Sequence, residues 1–154
     1  MREPSEHAEQ CALMGWWEYQ ARAKRLAPEL FFAIPNGGNR NAATGARLKA
    51  EGVRAGVPDL MLAIPSKGFS GLFIELKRRS GGVLGAKQKN MLTILAANGY
   101  AAAVCQGFEA AKETICHYLG WEFVKRDKQA RLPKRGKDPR PWENWGKIED
   151  REQF

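Results

Sequence analysis

The stretch Gly-Leu-Phe-Ile-Glu-Leu-Lys, residues 71–77, has the alternation of a β-strand and carries two charges in an otherwise apolar run. Successive side chains of a strand point to opposite faces of the sheet. One face collects three aliphatic side chains, those of Leu72, Ile74 and Leu76. The other face carries Glu75 beside Lys77. Because a carboxylate among apolar neighbours loses hydration, we expect Glu75 to be compensated by Lys77 or by a cation.

A second acid opens the preceding apolar run, Gly-Val-Pro-Asp-Leu-Met-Leu, residues 56–62. Pro58 restricts the backbone just before Asp59. If 59–64 pairs with 72–77 as an antiparallel hairpin, Asp59 lies at the end far from the connecting loop, which Glu75 and Lys77 also approach. Two hard oxygen ligands then converge beside one amine, as a Mg²⁺ site requires.

Each half of this pattern has a simpler interpretation when it is taken alone. The triplet Glu75-Leu76-Lys77 is then more often a surface strand with an ion pair, and Pro58-Asp59 is a common turn. Their combination, 16 residues apart with a hairpin loop between them, is less ordinary. We therefore interpret the pair as a site.

Outward from this pair, periodicity and turn residues predict the remaining elements. Ser5 is a candidate cap for a first helix that Pro28 ends. Helices are predicted at residues 5–26, 43–51, 86–97 and 108–119. Strands are predicted at residues 30–34, 60–64, 72–77 and 100–105. This order predicts an α/β domain in which helices cover a mixed sheet.

Composition narrows the class of protein. The chain has 154 residues, a size typical of one domain, and 44% of them are apolar. Its net charge of +8 favours a polyanionic partner. The polar N-terminus and the lack of a long apolar run predict a cytoplasmic protein without a membrane span. Three cysteines and two histidines at no zinc-ligand spacing indicate reduced thiols rather than a zinc site.

Several motifs together resemble one nuclease family. They are Ile34-Pro35-Asn36-Gly37-Gly38, Leu48-Lys49-Ala50-Glu51-Gly52-Val53, Gly56-Val57-Pro58-Asp59, Gly71-Leu72-Phe73-Ile74-Glu75-Leu76-Lys77 and Gln88. The chain is similar to the VRR-NUC (virus-type replication–repair nuclease) family of the PD-(D/E)XK superfamily, in particular its stand-alone phage and prophage members. The resemblance implies a restriction-endonuclease-like fold, a mixed central sheet flanked by helices, and a protein acting in a bacterial host cell.

The resemblance covers residues 5–120, which we interpret as the nuclease domain. The tail, residues 121–154, lies outside it. Between residues 123 and 141 the chain has eight basic residues against two acidic ones, and residues 142–154 reverse to a slight acidic excess. Whether this tail docks on the domain is left open.

The resemblance also implies site roles. The enzyme would be a Mg²⁺- or Mn²⁺-dependent DNA endonuclease that leaves 5′-phosphate and 3′-hydroxyl ends. Asp59 and Glu75 would be metal ligands, with the Leu76 carbonyl a third. Lys77 would position or deprotonate the attacking water, and Gln88 would support the site. Family members add an acid from the first helix, for which Glu6, Glu9 and Glu18 compete here. Glu9 best matches the family position and is chosen as catalytic residue and ligand.

Basic residues near these motifs are candidate DNA contacts. The predicted set is Asn36, Arg40, Arg47, Lys49, Arg54, Arg78 and Lys87. The resemblance implies a homodimer acting on branched DNA, including four-way (Holliday) junctions, in repair or recombination. Two alternatives remain open, a nucleic-acid-binding protein that does not cut and a sequence-specific nuclease of the same superfamily.

Overall fold

The computed structural model describes residues 3–35 and 42–123, with residues 42 and 43 described by their backbone alone. Within these ranges a short 3₁₀ turn, Pro28–Leu30, accompanies the main helices and strands. Their bounds are α1 (Glu6–Ala23), β1 (Phe31–Ala33), α2 (Ala42–Ala50), β2 (Leu60–Leu62), β3 (Leu72–Lys77), α3 (Ala86–Ala97), β4 (Ala101–Gln106) and α4 (Gly107–Leu119). The order of helices and strands is the one that the sequence predicted.

The strands form a mixed sheet in the order β1-β2-β3-β4. The pairs β1–β2 and β2–β3 are antiparallel, and β3–β4 is parallel. Leu60 pairs with Ile74, so that one further step along the same register sets Asp59 opposite Glu75. The predicted hairpin and the predicted α/β class with helices flanking a mixed sheet are confirmed.

Different helices cover the two faces of β3. The Leu76 face packs against α1 and α4: Cys105, the β4 partner of Leu76, donates through its thiol to Thr114 of α4 at 3.4 Å. Trp17 of α1 is fully buried in the same core, and its indole N–H donates to the Pro28 carbonyl at 2.7 Å. From α3, Gln88 reaches the opposite face, where its amide donates to Glu75. The apolar face of β3 is buried in the core, while its other face carries the charged pair Glu75 and Lys77.

Some helices and strands end at residues other than those predicted. Helix α1 begins as predicted, with the Ser5 hydroxyl accepting from the Ala8 N–H at 3.2 Å. It ends at Ala23, five residues before Pro28, because Arg25 adopts a φ of 59° and the Leu26 N–H turns back to the Ala21 carbonyl. Strands β1 and β2 have three residues each, shorter than predicted.

The C-terminal region is described only as far as residue 123. Trp121 follows the predicted domain end and stacks on Trp17, with ring centroids 5.9 Å apart. The rest of the predicted tail, residues 124–154, lies outside the described residues. No helix in the described part of the chain is both long enough and apolar enough to cross a membrane.

Candidate metal and nuclease site

Glu75 lies near the carboxyl end of β3 and is 1% exposed. Its Oε1 accepts from the Lys77 ammonium at 2.6 Å and from the Gln88 amide. Its Oε2 is buried and has no hydrogen-bond partner among the described residues. Since buried polar atoms are nearly always paired, an orphaned carboxylate oxygen requires an explanation.

Burial raises the pKa of Glu75 above its usual value, because the charged form loses hydration. The hydrogen bond from Lys77 opposes this effect and lowers the pKa. The charges of Asp59 and Glu6 raise it further. Glu75 is therefore a desolvated acid with other acidic charges acting on it and one ammonium group, that of Lys77, bonded to it. A bound cation would relieve both the lost hydration and the repulsion.

Asp59 is held at the same end of β3 by the backbone. Its Oδ2 accepts from the Leu76 N–H at 2.9 Å, one residue beyond Glu75. In a strand the N–H and C=O of one residue point to the same side, so the Leu76 carbonyl also points toward Asp59. The strand register continues to Pro58 opposite Leu76. Proline has no N–H to donate, so the sheet ladder cannot occupy this carbonyl from that position.

Gly56 brings the segment before Asp59 against the start of α3. Its φ is +89°, and a Cβ there would lie 2.5 Å from the Lys87 carbonyl oxygen and 3.0 Å from the Gln88 nitrogen. Glycine is required by both the conformation and the close approach. The Gly85 N–H donates to Gln88 Oε1 at 2.9 Å, which leaves the amide NH₂ to donate to Glu75. Asp59 and Gln88, 29 positions apart in the printed sequence, thus meet at one site.

The oxygen donors of this cluster fit a hard divalent cation. Among the described residues no three side chains of His, Cys, Asp and Glu form a metal-binding group. The donors here are two carboxylates and one main-chain carbonyl. Mg²⁺ is commonly bound by one or two carboxylates and keeps several waters, so this set suffices. The orphaned Glu75 Oε2 is the particular atom that a cation would satisfy.

The candidate acids of the first helix have different partners. Glu9 is 3% exposed, and both of its oxygens are engaged by Arg79 and by the Phe108 N–H. Glu18 is exposed and pairs with Arg22 at 3.0 Å. Of the three candidates, Glu6 is the one whose charge acts on Glu75. The structure thus gives Glu9 hydrogen-bond partners on the segment after β3 and on α4.

The predicted DNA contacts divide into three groups. Lys49, Arg54 and Lys87 line a cavity of about 320 Å³ together with Gly45, Leu48, Val53 and Ala55. This cavity adjoins the site, because Lys87 and Gln88 are neighbours in α3. Arg47 pairs with Glu51 at 2.9 Å, and Arg78 is exposed just beyond Lys77. Asn36 and Arg40 lie outside the described residues.

Arg79 and its contact with Glu9 were not in the predicted site. The sequence offers one signal for these contacts, the three-residue spacing of Glu3, Glu6 and Glu9. Acids at this spacing lie on neighbouring faces at the start of a helix. That spacing does not reveal the partner of each acid. Their partners lie about 70 to 99 positions away along the chain.

Comparisons with known proteins find a matching family model and a similar solved structure. The family model for the VRR-NUC domain matches residues 4–109. A solved structure described as a VRR_NUC domain protein superposes with a TM-score of 0.66 at 28% sequence identity. The match covers 76% of this chain and 89% of that one. None of the curated proteins matches the chain.

Proposed function

This chain belongs to the VRR-NUC family of nucleases, and on that premise we propose that it is a divalent-metal-dependent endonuclease that cuts branched DNA. VRR-NUC domains are nucleases of the PD-(D/E)XK type and typically depend on divalent metal ions. The proposal goes further in naming Mg²⁺ or Mn²⁺ as cofactor, four-way junctions as preferred substrate, and a homodimer as the active form.

One observation carries the proposal: Glu75 Oε2 is buried near Asp59 and has no hydrogen-bond partner within residues 3–35 and 42–123. A pure binding protein has no use for a desolvated carboxylate with a second acid next to it. Asp59, Glu75 and the Leu76 carbonyl would hold the ion. Such an ion supplies Lewis-acid chemistry, since it withdraws charge from a phosphate oxygen and makes water more acidic.

The remaining residues supply positioning and proton transfer. Lys77 is only 13% exposed at its side chain, and Glu75 Oε1 holds its ammonium group at 2.6 Å. This contact directs the amine toward the same end of β3, where it would orient the attacking water or accept its proton. Gln88 keeps the Glu75 carboxylate in place. Because hydrolysis of a phosphodiester uses water as nucleophile, no Ser or Cys nucleophile is required.

For the acid contributed by the first helix, the contacts favour Glu6 over the predicted Glu9. The charge of Glu6 raises the pKa of Glu75, whereas both Glu9 oxygens are engaged elsewhere. We therefore assign to Glu6 an indirect role, holding a water of the bound ion, because Glu6 forms no three-acid metal group with Asp59 and Glu75 among the described residues.

Substrate binding is assigned to the exposed cations beside the site. Lys49, Arg54 and Lys87 surround a cavity that adjoins Gln88, at a suitable place for phosphates flanking the scissile bond. Phosphate contacts of this kind carry no base sequence, which favours recognition of DNA shape. A two-fold dimer would present two such sites and suit symmetric cutting of a junction. The expected compartment is the cytoplasm of a bacterial host.

Cleavage assays on a panel of labelled substrates test the function. The panel contains a four-way junction, a flap, a linear duplex and a single strand, each with Mg²⁺, Mn²⁺ or EDTA. Asp59→Asn and Lys77→Ala are compared with Glu18→Gln, an exposed acid of α1 away from the cluster. Light scattering of the purified protein measures the oligomeric state.

The proposed function predicts metal-dependent cutting, fastest on the junction, that Asp59→Asn and Lys77→Ala abolish and Glu18→Gln leaves intact. Junction binding with no cutting under any metal would establish a non-cleaving DNA-binding protein instead. Cutting of the linear duplex at one short sequence would establish a sequence-specific nuclease. If light scattering shows a monomer and this monomer cuts junctions, the proposed dimer alone would be refuted.

A further inference from the structure

Two contacts attach the start of α1 to the segment that directly follows β3. Glu3 accepts from the Ser80 N–H at 3.0 Å and from its hydroxyl at 2.6 Å. Glu9 accepts from Arg79 Nε at 2.5 Å and Nη2 at 3.2 Å. Glu6 lies between these two attachment points, one helical turn before Glu9. The helix face that carries Glu6 is therefore held against the end of β3 on both sides of that residue.

The Glu9 contact also includes α4. The Phe108 N–H, in the first turn of α4, donates to Glu9 Oε2 at 2.8 Å. A helix N-terminus favours a negative charge, and the paired guanidinium adds charge-assisted hydrogen bonds. Three elements, α1, the segment after β3 and α4, thus converge on one carboxylate. We call Glu9, Arg79 and the Phe108 N–H the α1 clasp.

Gly107 shows how closely the α1 clasp is packed. Its φ is +79°, and a Cβ at this position would lie 2.7 Å from Arg79 Cγ. Glycine lets the first residue of α4 approach the Arg79 stem, so that both the Arg79 guanidinium and the Phe108 N–H reach Glu9 Oε2. The hydrogen bond to Glu9 also raises the pKa of Arg79.

We propose that Glu9 and Arg79 are positioning residues, whose ion pair fixes the register of α1 so that Glu6 faces Glu75. This inference rests on the proposed metal-dependent function, because the role of Glu6 is defined by that site. Glu9 then acts on the metal through Glu6 and not as a ligand. Since α1 carries both residues one turn apart, a change in the clasp moves Glu6 relative to β3.

A double-mutant cycle on Mn²⁺ affinity tests this assignment. The proteins are wild type, Glu6→Gln, Glu9→Gln and the double variant Glu6→Gln/Glu9→Gln. Glu18→Gln is the matched control, an acid on the same helix whose partner, Arg22, is exposed. Electron paramagnetic resonance counts free Mn²⁺, so the readout does not depend on cleavage. Thermal unfolding of each variant is recorded without metal.

The expected result is a loss of about tenfold in Mn²⁺ affinity for Glu9→Gln, in the range found for residues that orient metal ligands. In the Glu6→Gln background, Glu9→Gln should cause no further loss. On junction DNA, Glu9→Gln should lower kcat and leave KM unchanged, because Glu9 is buried. Glu18→Gln should match wild type. A Glu9→Gln loss that persists in full without Glu6 would overturn the inference, as would unchanged affinity.

Arg79→Lys provides the second variant, since it keeps the charge and loses the two-pronged contact. It should weaken Mn²⁺ binding in the same direction as Glu9→Gln and only when Glu6 is present. Failure of the two proposals can be told apart. Wild-type protein that binds Mn²⁺ but cuts no DNA would refute the proposed function while the cycle still decides the inference. Wild-type protein that binds no Mn²⁺ would refute both.

Discussion

Glu9 and Glu75 are both almost fully buried, yet their carboxylates are satisfied in different ways. Both oxygens of Glu9 accept hydrogen bonds, from Arg79 and from the Phe108 N–H. Glu75 uses only Oε1, and its Oε2 has no partner among the described residues. A carboxylate whose hydrogen bonds are complete joins elements of the fold. A carboxylate whose hydrogen bonds are incomplete costs stability unless a ligand completes them.

The largest expected effect is on cleavage activity, and it distinguishes the site around Glu75 from the α1 clasp around Glu9. Asp59→Asn keeps an acceptor for the Leu76 N–H but removes a charge beside Glu75, and it should lower single-turnover cleavage by about a hundredfold or more. In thermal unfolding followed over a Mn²⁺ titration, the variant should lose the metal-induced rise in Tm. A wild-type rise in the variant would contradict the assignment of Asp59.

The two carboxylates should also differ in what they contribute to the metal-free fold. Glu9→Ala leaves Arg79 and the Phe108 N–H without their acceptor and should destabilise by about 2–3 kcal/mol, since Arg79 is 45% exposed and partly screened. Glu75→Gln removes a desolvated charge and should change stability by less than about 1 kcal/mol. Urea unfolding in EDTA measures both. Equal losses of unfolding free energy for Glu9→Ala and Glu75→Gln would contradict this difference between the two carboxylates.

A pair of glycine substitutions tests whether each cluster depends on one close approach. Gly56→Ala places a Cβ 2.5 Å from a backbone oxygen of α3 and should cost about 2 kcal/mol or more. Gly107→Ala meets the Arg79 side chain, which can shift, and should cost less. Gly52→Ala is the control, because Gly52 also has a positive φ, +100°, but has open space around its Cα.

Urea unfolding measures the stabilities of the three glycine variants. Gly52→Ala isolates the backbone strain, expected at about 1 kcal/mol. A Gly56→Ala cost no greater than that of Gly52→Ala would show that the segment before Asp59 does not depend on its contact with α3.

The smallest effects are expected at the basic cavity beside the Glu75 cluster. Lys49→Ala, Arg54→Ala and Lys87→Ala should each weaken junction binding a few-fold and reduce the salt slope by about 1, as loss of one phosphate contact does. Binding is measured in EDTA, so that cleavage does not interfere. Arg22→Ala, an exposed cation of α1, is the matched control. An equal effect of Arg22→Ala would indicate binding by overall charge.

Sequence patterns predicted much of the fold because they act over short distances. The alternation in residues 71–77 predicted β3, and the burial of Leu72, Ile74 and Leu76 agrees with it. Strands β1 and β2 were predicted too long, since their ends depend on pairing with other strands. The end of α1 was misplaced because a left-handed Arg25 is not a recognisable signal.

Only part of the candidate site was predicted, because sequence patterns do not report contacts between distant parts of the chain. Asp59, Glu75, Lys77 and Gln88 were named from motifs, and the fold brings all four together. The choice among the acids of α1 could not be made from spacing, because all are compatible with an amphipathic helix. Arg79 was not singled out, since its partner Glu9 lies 70 positions away.

By itself the amino-acid sequence determined the class of fold, the order of the elements and the two acids and one lysine at the end of β3. These follow from strand alternation and local turn chemistry, which operate within a few residues. Only the tertiary structure decided that Glu9 pairs with Arg79 and that Glu75 Oε2 is buried with no hydrogen-bond partner in the described part of the chain. Each of these depends on the packing of α1, α3 and α4 around one end of the sheet, where residues as far apart as Glu9 and Phe108, 99 positions, come into contact.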